Sequence, residues 1–270
     1  MNAIEAIRAD AARLLTEGRA KMVIGYRLRH GRGAPLIITR PEAAEGLYIG
    51  PECKLNLAAY LARPEVHRAT PVAIVATPAA LRSLVVLAAE SQVPDGSVLA
   101  LAVGPEEYHG IVDVTAAAEL VRTRYANIAA DPALAARAKE LAGMTAAQRS
   151  AFWQEQFAKC TRCYACRAAC PGCYCRRCAV EKNMPQWVST AARGHGNYAW
   201  HILRAFHQAG RCVLCGACES ACPQGIPLML LNISIAQNVQ EQFGATPGLD
   251  PEARPVMGTF RPEDKDEFIR

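Results

Sequence analysis

The feature that most constrains this chain is a pair of cysteine runs. Cys160, Cys163, Cys166 and Cys170 are followed by Pro171, and Cys212, Cys215, Cys218 and Cys222 are followed by Pro223. Each half reads C-x-x-C-x-x-C-x-x-x-C-P, a spacing that holds iron–sulfur clusters. Three cysteines on one tight turn converge on three corners of a cubane. The fourth is displaced and, in two-cluster proteins, ligates the other cluster. The expected ligand sets are therefore Cys160, Cys163 and Cys166 with Cys222, and Cys212, Cys215 and Cys218 with Cys170. Zinc favours two C-x-x-C pairs rather than a triplet with a C-P, and it does not need the pattern twice. A disulfide framework is disfavoured, because the cysteines crowd one segment of a chain without a secretion signal.

Four further cysteines complete the twelve. Cys173, Cys175 and Cys178 form C-x-C-x-x-C directly after the first run, and Cys53 stands alone. These four are candidate ligands of a third metal centre, iron–sulfur or zinc, that would join the two halves of the chain. The alternative is that Cys53 is a small buried residue and the other three form a zinc site or carry no ligand.

With 270 residues the chain is long enough for two small domains. No apolar stretch reaches the ~18 residues of a membrane span, and MNAIEAIRAD lacks the apolar core of a signal peptide. A cytoplasmic location is expected, where thiols stay reduced. The net charge of +5 is uneven: from Lys159 to Arg211 the only acid among the cations is Glu181. Cations near thiolate-bound clusters offset negative charge and raise the potential. That account is preferred to nucleic-acid binding, since the aromatic spacing of an RNA-binding sheet is missing.

Taken in order, Asn2 to Glu17 carries a helical apolar stripe that Gly18 ends. Lys21–Leu28 and Pro35–Thr39 read as strands around a Gly-rich turn. Cys53–Arg63 returns to helical spacing. Pro71–Thr77 and Ser97–Val103 are continuous apolar runs, as for strands buried on both faces. Between them Thr77-Pro78 starts a helix that ends before Pro94. This is a βαβ unit, so a parallel sheet is expected. Asp131-Pro132 and Thr145 each cap a helix. The cysteine runs are separated by a long insert in which Pro185 to Gln208 is mostly helix-compatible, which favours an α-helical two-cluster module. Gly225–Val239 is a last apolar helix. From Gly244 onward the chain cannot build a core alone. It is disordered or laid on a partner subunit, with Phe260, Phe268 and Ile269 as apolar anchors. The expected organisation is an α/β fold with a small parallel-sheet domain over 1–130, a helical linker over 131–159, an α-helical dicluster ferredoxin domain over 160–243 and an extended tail over 244–270.

Other chemistry is thin. No Walker A sequence is present, and no G-x-G-x-x-G follows a strand. Gly194, Gly196 and Ala199 match G-x-G-x-x-A by letter only. His195, His201 and His207 do not share a helix face, and Trp153, Trp187 and Trp200 are expected to pack around the clusters and exclude water.

Two segments carry a resemblance. VIGYRLRHGRGAPLIITRPEAAEGLYIGPECKLNLAAYL and VAIVATPAALRSLVVLAAESQVPDGSVLALAVG resemble the β-subunit family of deazaflavin-reducing hydrogenases and formate dehydrogenases. The two cysteine runs with GIPLMLLN resemble the α-helical ferredoxin module of heterodisulfide reductase C subunits and of the iron–sulfur subunit of succinate dehydrogenase. Bacterial proteins joining both parts are similar along nearly the whole chain. The family's cysteines in the loops after the two buried strands are replaced here by Thr77-Pro78 and Gly104-Pro105. The resemblance implies an electron-transfer subunit that partners flavoprotein, hydrogenase or formate dehydrogenase subunits, or a soluble ferredoxin. The expected function is a one-electron relay with two [4Fe-4S] clusters and no catalytic residues of its own. One alternative is a β subunit that binds FAD and acts on a soluble electron carrier, and another is a cluster-bearing sensor that binds nucleic acid.

Overall fold

Three apolar runs in the first half of the chain converge on one sheet. The computed structural model describes residues 2–105, 107–126 and 131–258. Helix α1 (Ala3–Thr16) buries the stripe Ile7, Ala11 and Leu14, the spacing of one helix face. Strands β1 (Met22–Arg29) and β2 (Arg32–Ile38) pair antiparallel. Their turn residues His30 and Gly31 both have positive φ, 50° and 70°, the conformation that matches strand twist in a two-residue hairpin.

A short helix α2 (Pro64–Arg68) precedes β3 (Val72–Ala76), whose five residues are all buried. Helix α3 (Pro78–Ala89) starts on Thr77 with Pro78 in its first turn. Strands β4 (Val98–Val103) and β5 (Tyr108–Val112) follow, then helix α4 (Val114–Leu120), capped by the Asp113 carboxylate accepting from the Ala116 amide at 2.8 Å. The sheet order is β2-β1-β3-β4-β5. The pairs β1·β3 and β3·β4 are parallel, while β4·β5 is antiparallel.

The expected parallel sheet is thus corrected to a mixed one, with an antiparallel strand at each edge. The reason is loop length. An antiparallel neighbour needs only a tight turn, whereas a parallel one needs a crossover. His30-Gly31 and the short link before Tyr108 leave no room for a crossover. The helical spacing of Cys53–Arg63 yields only a 3-10 turn at Leu57–Tyr60, ahead of α2. Asn56 explains the difference, because its side chain accepts from the Ala58 amide and offers the backbone a turn in place of a helix.

The second half is helical: α5 (Pro132–Gly143), α6 (Ala146–Ala158), α7 (Ala165–Ala168), α8 (Gly194–His207), α9 (Ala217–Ser220) and α10 (Leu228–Phe243). It has its own core, built on Trp153, Phe157, Val180, Trp200, Ile226 and Leu230. Helices α5 and α6 contribute Ala138, Leu141, Trp153 and Phe157 to that core. The helix expected within Pro185–Gln208 begins only at Gly194. Upstream of it, the Asn183 carboxamide accepts from the Trp187 and Val188 amides at 2.7 and 3.0 Å and holds a turn.

After α10, Gly244 takes a left-handed φ of 63° and the chain turns back. Arg82 donates to the Pro247 carbonyl at 2.8 Å, and Leu249 packs against the sheet's core. The described part of the tail therefore lies on this chain itself, against the α/β half at Pro247 and Leu249 and beside Gly210 at Val256. Phe260, Phe268 and Ile269 lie outside the described residues. No helix among the described residues is long and apolar enough to cross a membrane.

Candidate metal centres

The two cysteine runs fold as copies of one loop. In the first, Arg162 and Tyr164 have φ of 57° and 59°; in the second, Leu214 and Gly216 have φ of 57° and 74°. Each loop then enters a four-residue helix, α7 or α9, whose second residue is the buried third cysteine, Cys166 or Cys218. Left-handed residues alternating with right-handed ones turn successive N–H groups into a shared concavity that suits anions, including iron–sulfur cages. The Arg162 amide already points at sulfur, donating to Cys160 Sγ at 3.4 Å. A left-handed non-glycine residue costs roughly 1–2 kcal/mol, so three of them in these loops mark backbone held by its surroundings.

The fourth cysteines cross between the loops. Cys160, Cys163, Cys166 and Cys222 line one cavity, together with Trp200 and His201. Cys170, Cys212 and Cys215 line another, with Gln208 beside them. Burial pushes the Cys166 and Cys218 thiols up to about 11, with the Arg204 cation opposing. Buried thiols resist ionisation unless a cation holds the charge, which is what metal ligation supplies.

Unpartnered nitrogens test the fit of a cluster. Among the described residues, Arg162 Nη1, Trp200 Nε1 and both ring nitrogens of His201 are buried without a hydrogen-bond partner, and all three residues line the first cavity. Orphaned buried donors are costly, and the sulfides of a cubane would accept from them. Burial, aided by Arg204 and Arg162, lowers the His201 imidazole to about 3, so the ring is neutral and has one N–H to give. The rest of the Arg162 guanidinium is committed: Nε donates to Asn197 Oδ1 at 3.1 Å, and Nη2 to the Ser189 and Gly196 carbonyls at 2.8 and 2.9 Å. The donor set suits a thiolate-held iron–sulfur group.

Arg204 stands between the two sets. It is buried and donates from Nη2 to the Cys166 carbonyl at 3.3 Å, while its Nε has no partner. Burial opposes its charge, and the sulfurs of Cys173, Cys170, Cys218 and Cys166 outweigh burial and hold it charged. Two carboxamides also reach sulfur: Asn232 Nδ2 to Cys218 Sγ at 3.4 Å and Gln208 Nε2 to Cys173 Sγ at 3.5 Å. None of Arg204, Asn197, Asn232 and Gln208 stands out in the sequence. The available signal was a polar residue on the buried face of a helix next to a cysteine run.

The other four cysteines are dispersed. Cys173 lies against Cys170, and their shared hydrogen bond holds the Cys170 thiol up and lowers that of Cys173. Cys175 is exposed, Cys178 packs on the helical core, and Cys53 packs on the sheet's core. Among the described residues no three His, Cys, Asp or Glu side chains are grouped to hold a single metal ion. Trp153 and Trp200 pack as expected, whereas Trp187 is exposed.

A family model bears on the same segment. Residues 159–227 match the family model of a 4Fe-4S dicluster domain. The chain is 30% identical over 110 residues to the F420-dependent formate dehydrogenase subunit beta of Methanocaldococcus jannaschii, covering 40% of this chain and 28% of that protein. It is 37% identical over 106 residues to the F420-dependent formate dehydrogenase 1 subunit beta of Methanococcus maripaludis, covering 39% of this chain and 27% of that protein. The matches thus span under a third of each relative's length. The domain match covers the segment that carries both cysteine runs, as expected of an iron–sulfur protein.

Proposed function

We propose that the chain is a one-electron relay with two [4Fe-4S] clusters, one held by Cys160, Cys163, Cys166 and Cys222, the other by Cys212, Cys215, Cys218 and Cys170. The observation that carries this reading is the cavity where the first run's three cysteines meet the last cysteine of the second. When bound, such clusters accept and release single electrons. The chain's own part is to position and tune them. The left-handed loops aim amides at sulfur, Arg204 keeps a positive charge between the two sets, and Trp153 and Trp200 exclude water.

The exchange partners are proposed to be other subunits of a formate dehydrogenase type of complex, in keeping with the names of the two relatives. The α/β part over 1–130, the helices over 131–159, the cluster-bearing part over 160–243 and the tail from 244 are proposed as its divisions. A cytoplasmic site of action follows from the redox chemistry.

Anaerobic reconstitution with iron and sulfide tests the reading. Two clusters predict about eight irons per chain and paramagnetic signals on dithionite reduction. Colourless protein without such signals would overturn it. About twelve irons would bring in Cys173, Cys175, Cys178 and Cys53 as a third centre, and flavin released on denaturation would favour the FAD-binding alternative.

A further inference from the structure

Glu90 is the C-cap of α3 and belongs to the α/β half, yet both of its carboxylate oxygens are used by the cluster-bearing half. Oε1 accepts from Arg211 Nε at 2.8 Å and Oε2 from the Tyr174 hydroxyl at 2.7 Å. The Glu90 side chain is only 9% exposed. Its two partners are placed with purpose: Arg211 directly precedes Cys212, and Tyr174 directly follows Cys173 in the loop that begins at Cys170. One carboxylate therefore grips the two segments that bring the second run's first cysteine and the crossed-over fourth cysteine together. The same helix forms the wall of their cavity, where Ser83, Val86 and Leu87 of α3 face Cys170, Cys212 and Cys215.

We infer that Glu90 is a positioning residue for the second cluster: through Arg211 and Tyr174 it latches α3 over that cluster and keeps water from it. The inference rests on the iron–sulfur reading. It assigns the α/β half a specific task, the cover of one cluster, while the other reaches the surface at the exposed Cys163. Solvent access and hydrogen bonding near sulfur set a cluster's potential, so the latch makes the two clusters unequal.

The test uses the full chain, reconstituted anaerobically, with bathophenanthroline disulfonate as the iron trap. Iron should leave the wild-type protein in two phases of about four irons each, one per cubane. Glu90→Gln is expected to speed the slow phase about tenfold, the equivalent of one charge-assisted hydrogen bond lost from a local opening, and to leave the fast phase alone. It is also expected to raise the midpoint of one of the two clusters by about 59 mV, tenfold for a one-electron couple. Removing a nearby negative charge and admitting water both favour the more negative, reduced cluster. Tyr174→Phe, which deletes a single hydroxyl, should shift both readouts the same way by less. It carries the test should Glu90→Gln fail to fold by circular dichroism. Equal acceleration of both phases, or unchanged phases and midpoints, would overturn the latch. Wild-type protein that takes up no iron would instead sink the cluster reading beneath it.

Discussion

Arg162 and Leu214 hold the same left-handed backbone angle, φ 57° at both, at the same step of two separate cysteine loops. Two unrelated side chains share a costly conformation, as expected of loops that each present their amides and three sulfurs to one proposed centre. The next left-handed step is Tyr164 in one loop and Gly216 in the other, and a Cβ at Gly216 would meet nothing within 4 Å. Gly216→Ala should therefore carry only a conformational cost of roughly 1–2 kcal/mol. The expected outcome is a melting midpoint a few degrees lower with iron content unchanged, read by calorimetry and iron assay. A loss of iron would show that the loop needs more than the angle.

Crossed ligation makes a prediction that uncrossed ligation reverses. Cys160→Ser with Cys222→Ser removes two ligands of one cluster and should leave about four irons. Cys160→Ser with Cys170→Ser damages both clusters and should leave little iron. Iron and sulfide counts on the two double variants decide the matter, and the opposite ranking would mean that each run closes its own cluster.

Arg204 is a buried cation flanked by sulfurs from both runs. Reduction adds negative charge to a cluster, so a nearby cation favours the reduced state. Arg204→Met should lower both midpoints, on the order of 59 mV each for a tenfold change in a one-electron equilibrium. Arg204→Lys should retain most of the potential. A redox titration in which only one midpoint moved would place Arg204 with a single cluster.

Gly196 is where the chain behind the first loop comes closest. A Cβ there would sit 2.7 Å from the Ala191 carbonyl oxygen and 2.9 Å from that of Ser189. Arg162 binds the Ser189 and Gly196 carbonyls, so displacing them would loosen the residue beside Cys163. Gly196→Ala should destabilise by about 1–3 kcal/mol and lower the occupancy of the first cluster selectively. Thermal melts and iron counts would register both effects.

The amino-acid order alone determined the chemistry of the centre. The spacing of Cys160 to Cys170 and of Cys212 to Cys222 is local, and one tight turn suffices to bring three sulfurs together. It also revealed the buried strands at Val72–Ala76 and Val98–Val103, because a continuous apolar run has one stable destination. Edge strand β5 escaped notice, since Tyr108–Val112 is half-buried throughout and contains His109 and Gly110. The tertiary structure decided what depends on segments far apart in the chain. It brought Cys222 to the cavity of the first run and closed α3 over Cys212 through Glu90. It also buried Arg204 among four cysteines and folded the tail onto Arg82. A sequence states which groups can ligate or carry charge; only packing decides which of them lose water together, and that loss sets the strength of each interaction.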